Sequence, residues 1–226
     1  MRNFSPPLIS RRMAALCLAA GLSLASAASA TDFSFNGTFV LDNDVQTFNF
    51  SVGASSAVTL VSYGYAGGTQ ASGNVVARGG FDTILALFDS TGALIGQNDD
   101  SVGTTCGPAT VAVDSATGAL FDTCLNVTLG TGGYTVAVMQ FDNFANGPNL
   151  SNGFSKDGNP NFLAGFCTNN TFCDVSGVAV FNNRTTAWAF DVLNVDQVQQ
   201  VGVPAPAGLG LMALALAGLR RRNRAR

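Results

Sequence analysis

Apolar and polar residues alternate along much of this chain, and the alternation predicts strands rather than helices. Phe33, Phe35 and Phe39 open the series, followed by Val45, Thr47, Phe48 and Phe50, and then by Val58 and Leu60 with Tyr63 and Tyr65. A continuous apolar run from Ile84 to Phe88 and a shorter one from Ala93 to Ile95 flank Asp89-Ser90-Thr91-Gly92, a tetrapeptide suited to a tight turn. Further strands are predicted over Phe121 to Val127, Tyr134 to Gln140, Val178 to Phe181 and Ala187 to Val195. No long amphipathic pattern interrupts them. Many short strands with Gly-rich turns predict an all-β fold, an antiparallel β-sandwich of jelly-roll type. Phe141 to Cys173 is rich in Asn and Gly and lacks periodicity, so it is expected to form an irregular insertion.

The two ends have a different character. Residues 1–30 carry Arg11-Arg12, an apolar run from Met13 to Leu24 and small residues ending in Ala28-Ser29-Ala30, the three-part form of a secretory signal peptide cleaved after Ala30 by signal peptidase. Residues 203–226 begin with Val203-Pro204-Ala205-Pro206-Ala207, continue with an apolar segment to Leu219 and end in a basic cluster containing Arg220, Arg221 and Arg222. A short C-terminal hydrophobic helix over Ala207 to Leu219 would span about 20 Å. That is less than the roughly 30 Å hydrocarbon core, so transient inner-membrane contact suits it better than a permanent anchor. The arginines would hold the cytoplasmic side and leave the Pro motif outside. A plain membrane tail is the alternative reading.

These ends alter the meaning of the net charge of −3. Eight of the 11 basic residues lie in them, while all 14 acidic residues are Asp between Asp32 and Asp196, so the middle segment stands at −11. Nucleic acid is excluded as a partner, because its recognition needs a basic footprint. His and Glu are both absent, which removes Ser-His-Asp and Cys-His nucleophile arrangements and histidine zinc sites. Residues 31–202 suffice for one compact domain with a real core.

Export makes the cysteines informative. Cys17 leaves with the signal peptide, and Cys106, Cys124, Cys167 and Cys173 form an even set for an oxidising compartment. Pairing of sequence neighbours, Cys106 with Cys124 and Cys167 with Cys173, is the preferred one of three connectivities. Their spacing lacks the C-x-x-C of a zinc site.

The C-terminal order of motif, apolar segment and basic cluster resembles the PEP-CTERM sorting signal. That resemblance implies processing by an exosortase, an integral-membrane cysteine transpeptidase, in a Gram-negative bacterium that makes exopolysaccharide. Ala205 stands where the family's central Glu would be, so the end looks more like the Val-Pro-x-Pro-Ala variant. Within the middle segment, Gly79 to Asp89, Gly92 to Ile95 and Gln97 to Asp100 form the most distinctive block. With Asp42 to Phe48, Gly132 to Val136 and Trp188 to Val192, it resembles exported β-sandwich proteins similar to bacterial pre-peptidase C-terminal domains. The resemblance implies a non-catalytic appendage, with calcium or extracellular polymers among the ligands of the wider group.

Calcium is the candidate cofactor, since it takes six to eight oxygen ligands and Asp82, Asp89, Asn98, Asp99 and Asp100 could converge at one end of a hairpin. Asp and Asn also serve as turn residues, and no EF-hand spacing is present. No catalytic residues are assigned. The function expected is that of a non-catalytic cell-surface or extracellular-matrix protein of the envelope, associated with biofilm exopolysaccharide. A calcium-dependent polysaccharide- or protein-binding module is the alternative, and an Asp-dependent hydrolase using Asp99 and Asp100 is the third reading. Tyr63, Tyr65, Tyr134 and Trp188 are candidates for stacking on sugar rings.

Overall fold

The computed structural model describes residues 30–167, 172–174 and 183–201. Ala28, the sorting-motif residues Val203 to Ala207, Arg220 to Arg222, the expected C-terminal helix and the strand expected at Val178 to Phe181 lie outside the described residues. Among those described, no helix is long and apolar enough to cross a membrane.

The described residues form thirteen strands: β1 (Thr31–Thr38), β2 (Gln46–Val52), β3 (Ser56–Ser62), β4 (Gly68–Thr69), β5 (Val75–Val76), β6 (Thr83–Asp89), β7 (Leu94–Asn98), β8 (Thr105–Cys106), β9 (Ala109–Thr110), β10 (Cys124–Leu129), β11 (Gly132–Gln140), β12 (Ala187–Val195) and β13 (Gln197–Gln200). Two antiparallel sheets pack as a sandwich, one in the order β1-β12-β3-β10 and the other in the order β13-β2-β11-β6-β7. Two small hairpins, β4-β5 and β8-β9, stand apart from them.

The period-2 pattern of β2 turns Phe48, Phe50 and Val52 into the space between the sheets, where they meet Val58, Leu60, Leu85, Leu87, Val136, Val138, Phe190 and Val192. Aromatic rings dominate this core. Phe48 lies 4.6 Å from Phe35 and 4.8 Å from Phe190 between centroids. The continuous apolar run of β6 has a different cause, because this strand is buried on both faces. Leu85 and Leu87 point into the sandwich, while Ile84, Ala86 and Phe88 face outward and are covered by Phe144, Leu150 and Phe154. The irregular insertion is therefore docked against the second sheet.

The predicted third strand stops earlier than its aromatics suggested. β3 ends at Ser62 because the carboxylate of Asp122 accepts the backbone N–H groups of Tyr65 (3.0 Å) and Ala66 (2.7 Å), turning the chain away from the sheet. The same contacts hold Phe121 to Thr123 off the sheet, so the strand expected from Phe121 begins at Cys124. Tyr63, Tyr65 and Trp188 are all buried, which removes them as sugar-stacking platforms, and Tyr134 packs on Phe50 at 5.5 Å.

Both expected disulfides are present, Cys106–Cys124 and Cys167–Cys173. They fit an oxidising, extracytoplasmic location. The first ties hairpin β8-β9 to the start of β10 beside Val61, Val111 and Leu193. Replacing Cys106 and Cys124 together by Ser is expected to cost about 3 kcal/mol in equilibrium urea unfolding, from restored chain entropy in the unfolded state.

The strand registers give the sandwich two unlike ends. Connections 53–55, 90–93, 130–131 and residue 196 are short and lie at one end. Connections 39–45, 63–82, 99–123 and 141–186 are long and emerge together at the other.

Candidate functional site

Three of the five aspartate and asparagine residues expected to converge do so, at the loop-bearing end. Asp82 immediately precedes β6, and Asp99 and Asp100 immediately follow its partner β7, so antiparallel pairing of the two strands brings them together. One carboxylate oxygen from each lies within 4.8 Å of the others. The backbone is held on several sides. Phe141 N–H donates to the Asp82 carbonyl (2.9 Å), the Thr123 hydroxyl reaches the carbonyls of Thr83 and Asp99 (2.7 Å to the latter), and Ser101 Oγ donates to the Asp122 carbonyl (2.7 Å). The approach of Gly80 to β12 also needs the absence of a side chain, because a Cβ there would collide with the carbonyls of Gly64 and Ala187, and Gly79 before it adopts a φ of +116°.

Asp89 and Asn98 serve other purposes. Asp89 lies at the far end of β6, where its Oδ1 accepts from Thr91 N–H (2.8 Å), Thr91 Oγ1 (2.7 Å) and Ala93 N–H (3.0 Å) and so caps the turn at Gly92. Asn98, with its amide in the orientation that satisfies both ends, donates to the carbonyls of Asp100 (3.0 Å) and Cys124 (3.3 Å). It positions the Asp100 backbone.

The electrostatics of the cluster are unusual for a protein interior. Asp82 is only 6% exposed, and an Oδ1 atom of each of Asp82, Asp99 and Asp100 is buried without a hydrogen-bond partner. Among the described residues no basic group compensates them: Arg78 is paired with Asp114, Lys156 with Asp142, and Arg184 with Asp174 and Asp114. Burial pushes the Asp82 carboxyl well above its usual range, with the charges of Asp99 and Asp100 adding to the effect. Burial, and then the charge on Asp100, raise Asp99 to about 7, and burial raises Asp100. A buried acid and two partly buried ones, crowded together without donors to these oxygens, are costly unless they are protonated or share a cation. One further oxygen escaped notice in the sequence. Gln140, paired with Thr83 across β11 and β6, is 1% exposed and its Oε1 also lacks a partner.

A raised carboxylate pKa has a definite consequence for stability. Asp99 is raised to about 7 in the folded chain, well above the usual carboxylate range, so its contribution to stability is present at low pH and is lost as pH rises through about 7. In chelator the domain is therefore expected to melt at a higher temperature at pH 5 than at pH 8. Calcium should narrow that difference, and differential scanning calorimetry at the two pH values would measure both effects.

A cleft of about 570 Å³ lies away from the cluster, between Tyr63, Thr69, Ala109 and Asp191. The cluster opens to solvent only on the side of Asp99 and Asp100, which are partly exposed. Three carboxylates can fill part of a calcium shell, with water completing it. No family model, curated protein or solved structure matches this chain.

Proposed function

We propose that this chain is an exported, non-catalytic β-sandwich of jelly-roll type that works at the cell surface or in the extracellular matrix and holds a calcium ion between Asp82, Asp99 and Asp100. The observation that carries the reading is the set of one buried and two partly buried carboxylates that bring an oxygen each within 4.8 Å of one another, each with an unpartnered Oδ1 and with no counter-charge among the described residues. An all-oxygen, triply acidic set favours a hard divalent cation, and calcium tolerates an irregular shell completed by water. The strand order of the two sheets supports the jelly-roll assignment.

Delivery rests on the two ends. The leader at residues 1–30 takes the chain across the inner membrane, and the PEP-CTERM-like segment at 203–226 holds it there until an exosortase-like enzyme acts at Val203-Pro204-Ala205-Pro206-Ala207. Association with exopolysaccharide follows from that sorting reading. Native mass spectrometry of the chain from Thr31 onward tests the ion: one calcium per chain, lost in Asp82→Asn, is expected, and a metal-free spectrum at millimolar calcium would remove it. Cell fractionation with and without residues 203–226 tests delivery, and identical soluble periplasmic location for both would defeat the sorting reading.

A further inference from the structure

We propose that the loop-bearing end of the sandwich docks, in its calcium-loaded form, on a lipid surface carrying anionic phosphate headgroups, with Val40 and Val102 as its apolar contacts. This rests on the proposed membrane-held C-terminal segment and on the proposed calcium site.

The path of the chain limits which end can meet a membrane. β13 runs antiparallel to β2, with Gln200 opposite Phe48. Val201 is then fixed at the loop-bearing end, its N–H donating to the Thr47 carbonyl (2.9 Å) and its own carbonyl accepting from Gln46 Nε2 (2.6 Å). The apolar segment of the sequence begins about six residues later, and six extended residues reach at most roughly 20 Å. A seven-residue strand such as β2 is itself roughly 23 Å long. With residues 208–219 inserted, the short-turn end cannot lie against the bilayer, because the connecting residues would be used up in running back along the sheet.

The surface chemistry distinguishes the ends in the same sense. Val40 is 83% exposed and Val102 fully so, one in the connection after β1 and the other in the connection after β7. The chain ties both to the carboxylates: Val102 comes two residues after Asp100, and Val40 follows Phe39, which stacks at 5.1 Å on Phe81, the residue before Asp82. The turns at the opposite end, 53–55, 90–93 and 130–131, contain only Gly, Ala, Ser and Thr, residue 196 is Asp, and Leu150 of the insertion lies half-buried beside Gly92.

Charge sets the condition for docking. Ten of the fourteen aspartates lie in the four long connections against three cations, Arg78, Lys156 and Arg184, so the excess of seven negative charges repels phosphate headgroups from this end unless a cation intervenes. A calcium ion takes six to eight oxygens, and the open side at Asp99 and Asp100 leaves positions for phosphate oxygens in place of water. The ion removes part of the repulsion and supplies a shared ligand, while the two valines enter the headgroup boundary.

The test uses the chain from Thr31 to Arg226 with vesicles of phosphatidylglycerol and phosphatidylethanolamine. An environment-sensitive fluorophore is attached at Val102→Cys, or at Thr91→Cys as the control on the opposite end, with both native disulfides oxidised. Flotation of the chain with the vesicles reports tail insertion separately. The expected result is a blue shift and brightening at position 102 in calcium, reversed by chelator and weaker on neutral phosphatidylcholine, with no change at position 91. A floating chain whose position-102 signal is the same in calcium and chelator overturns the proposal, as does a shift produced by soluble acidic polysaccharide and not by vesicles. A chain that fails to float removes the membrane-held tail and the proposal with it. Loss of the calcium site alone shows as continued flotation with no calcium adduct by mass spectrometry.

Discussion

Saturating calcium will raise the melting temperature of this domain at pH 8 by about 5–10 °C, and Asp82→Asn will abolish the rise. A ligand at about a hundred times its dissociation constant stabilises the native state by about 2.7 kcal/mol, and a domain of this size gains about 2–4 °C for each kcal/mol. The effect should be largest at high pH, where Asp99 is ionised and repelled by Asp100 and any charge on Asp82. Asp82→Asn removes a ligand charge and also relieves that repulsion, so the variant without calcium should be no less stable than the parent in chelator. Its signature is a lost response in a protein that still folds. Asp89→Asn provides the contrast: that residue caps a turn 2.7–3.0 Å from its donors, so its replacement should lower the melting temperature slightly and leave the calcium response intact.

The second large effect belongs to Arg184. Its guanidinium is buried, 3.1 Å from Asp174 Oδ2 and 3.7 Å from Asp114 Oδ2, and lies 3.5 Å from the centre of the Tyr65 ring. Asp174 follows Cys173 and Phe172, and Phe172 packs against Phe81 at 5.3 Å, next to Asp82. Arg184→Leu strands a buried carboxylate whose other donor is the Tyr65 hydroxyl at 3.0 Å. The expected loss is about 3–5 kcal/mol in urea unfolding, because breaking one side of a buried pair leaves an uncompensated charge. Arg184→Leu combined with Asp174→Leu should recover part of it. Equal losses in the single and double variants would mean that packing over Tyr65, rather than the ion pair, carries the stability.

How much of this was legible depended on whether a feature was local in sequence. β2 and β12 announced themselves because their inward residues fall in register with a period of two, and β6 because it is buried on both faces. β13 has only Val198 as an apolar residue, and β4, β5, β8 and β9 are two-residue pairs, so none carries a periodic signal. The insertion after Phe141 is irregular, as its composition indicates. Its docking by Phe144, Leu150 and Phe154 could not be read, because the surface it covers is the outer face of β6.

The site shows the same division. Asp99 and Asp100 stood out as a pair, and Asp82 as the residue before an apolar strand, but Asp89 looked equally suitable. A strand of seven residues places Asp82 and Asp89 roughly 20 Å apart, and nothing in the composition of the block records which end turns inward. Gln140 gave no sign at all, since its proximity to Thr83 comes from pairing with a strand more than fifty residues away. The lack of counter-charge was also non-local. It became evident only when Arg78, Lys156 and Arg184 were each found committed to another aspartate.

The most direct measurement is a crystal structure of the chain from Thr31 onward grown in calcium at pH 8. A single strong density peak is expected among the carboxylates of Asp82, Asp99 and Asp100, about 2.3–2.6 Å from their oxygens, with water on the side of Asp99 and Asp100. A cluster without an ion, its carboxyls drawn into short hydrogen bonds through shared protons, would contradict it.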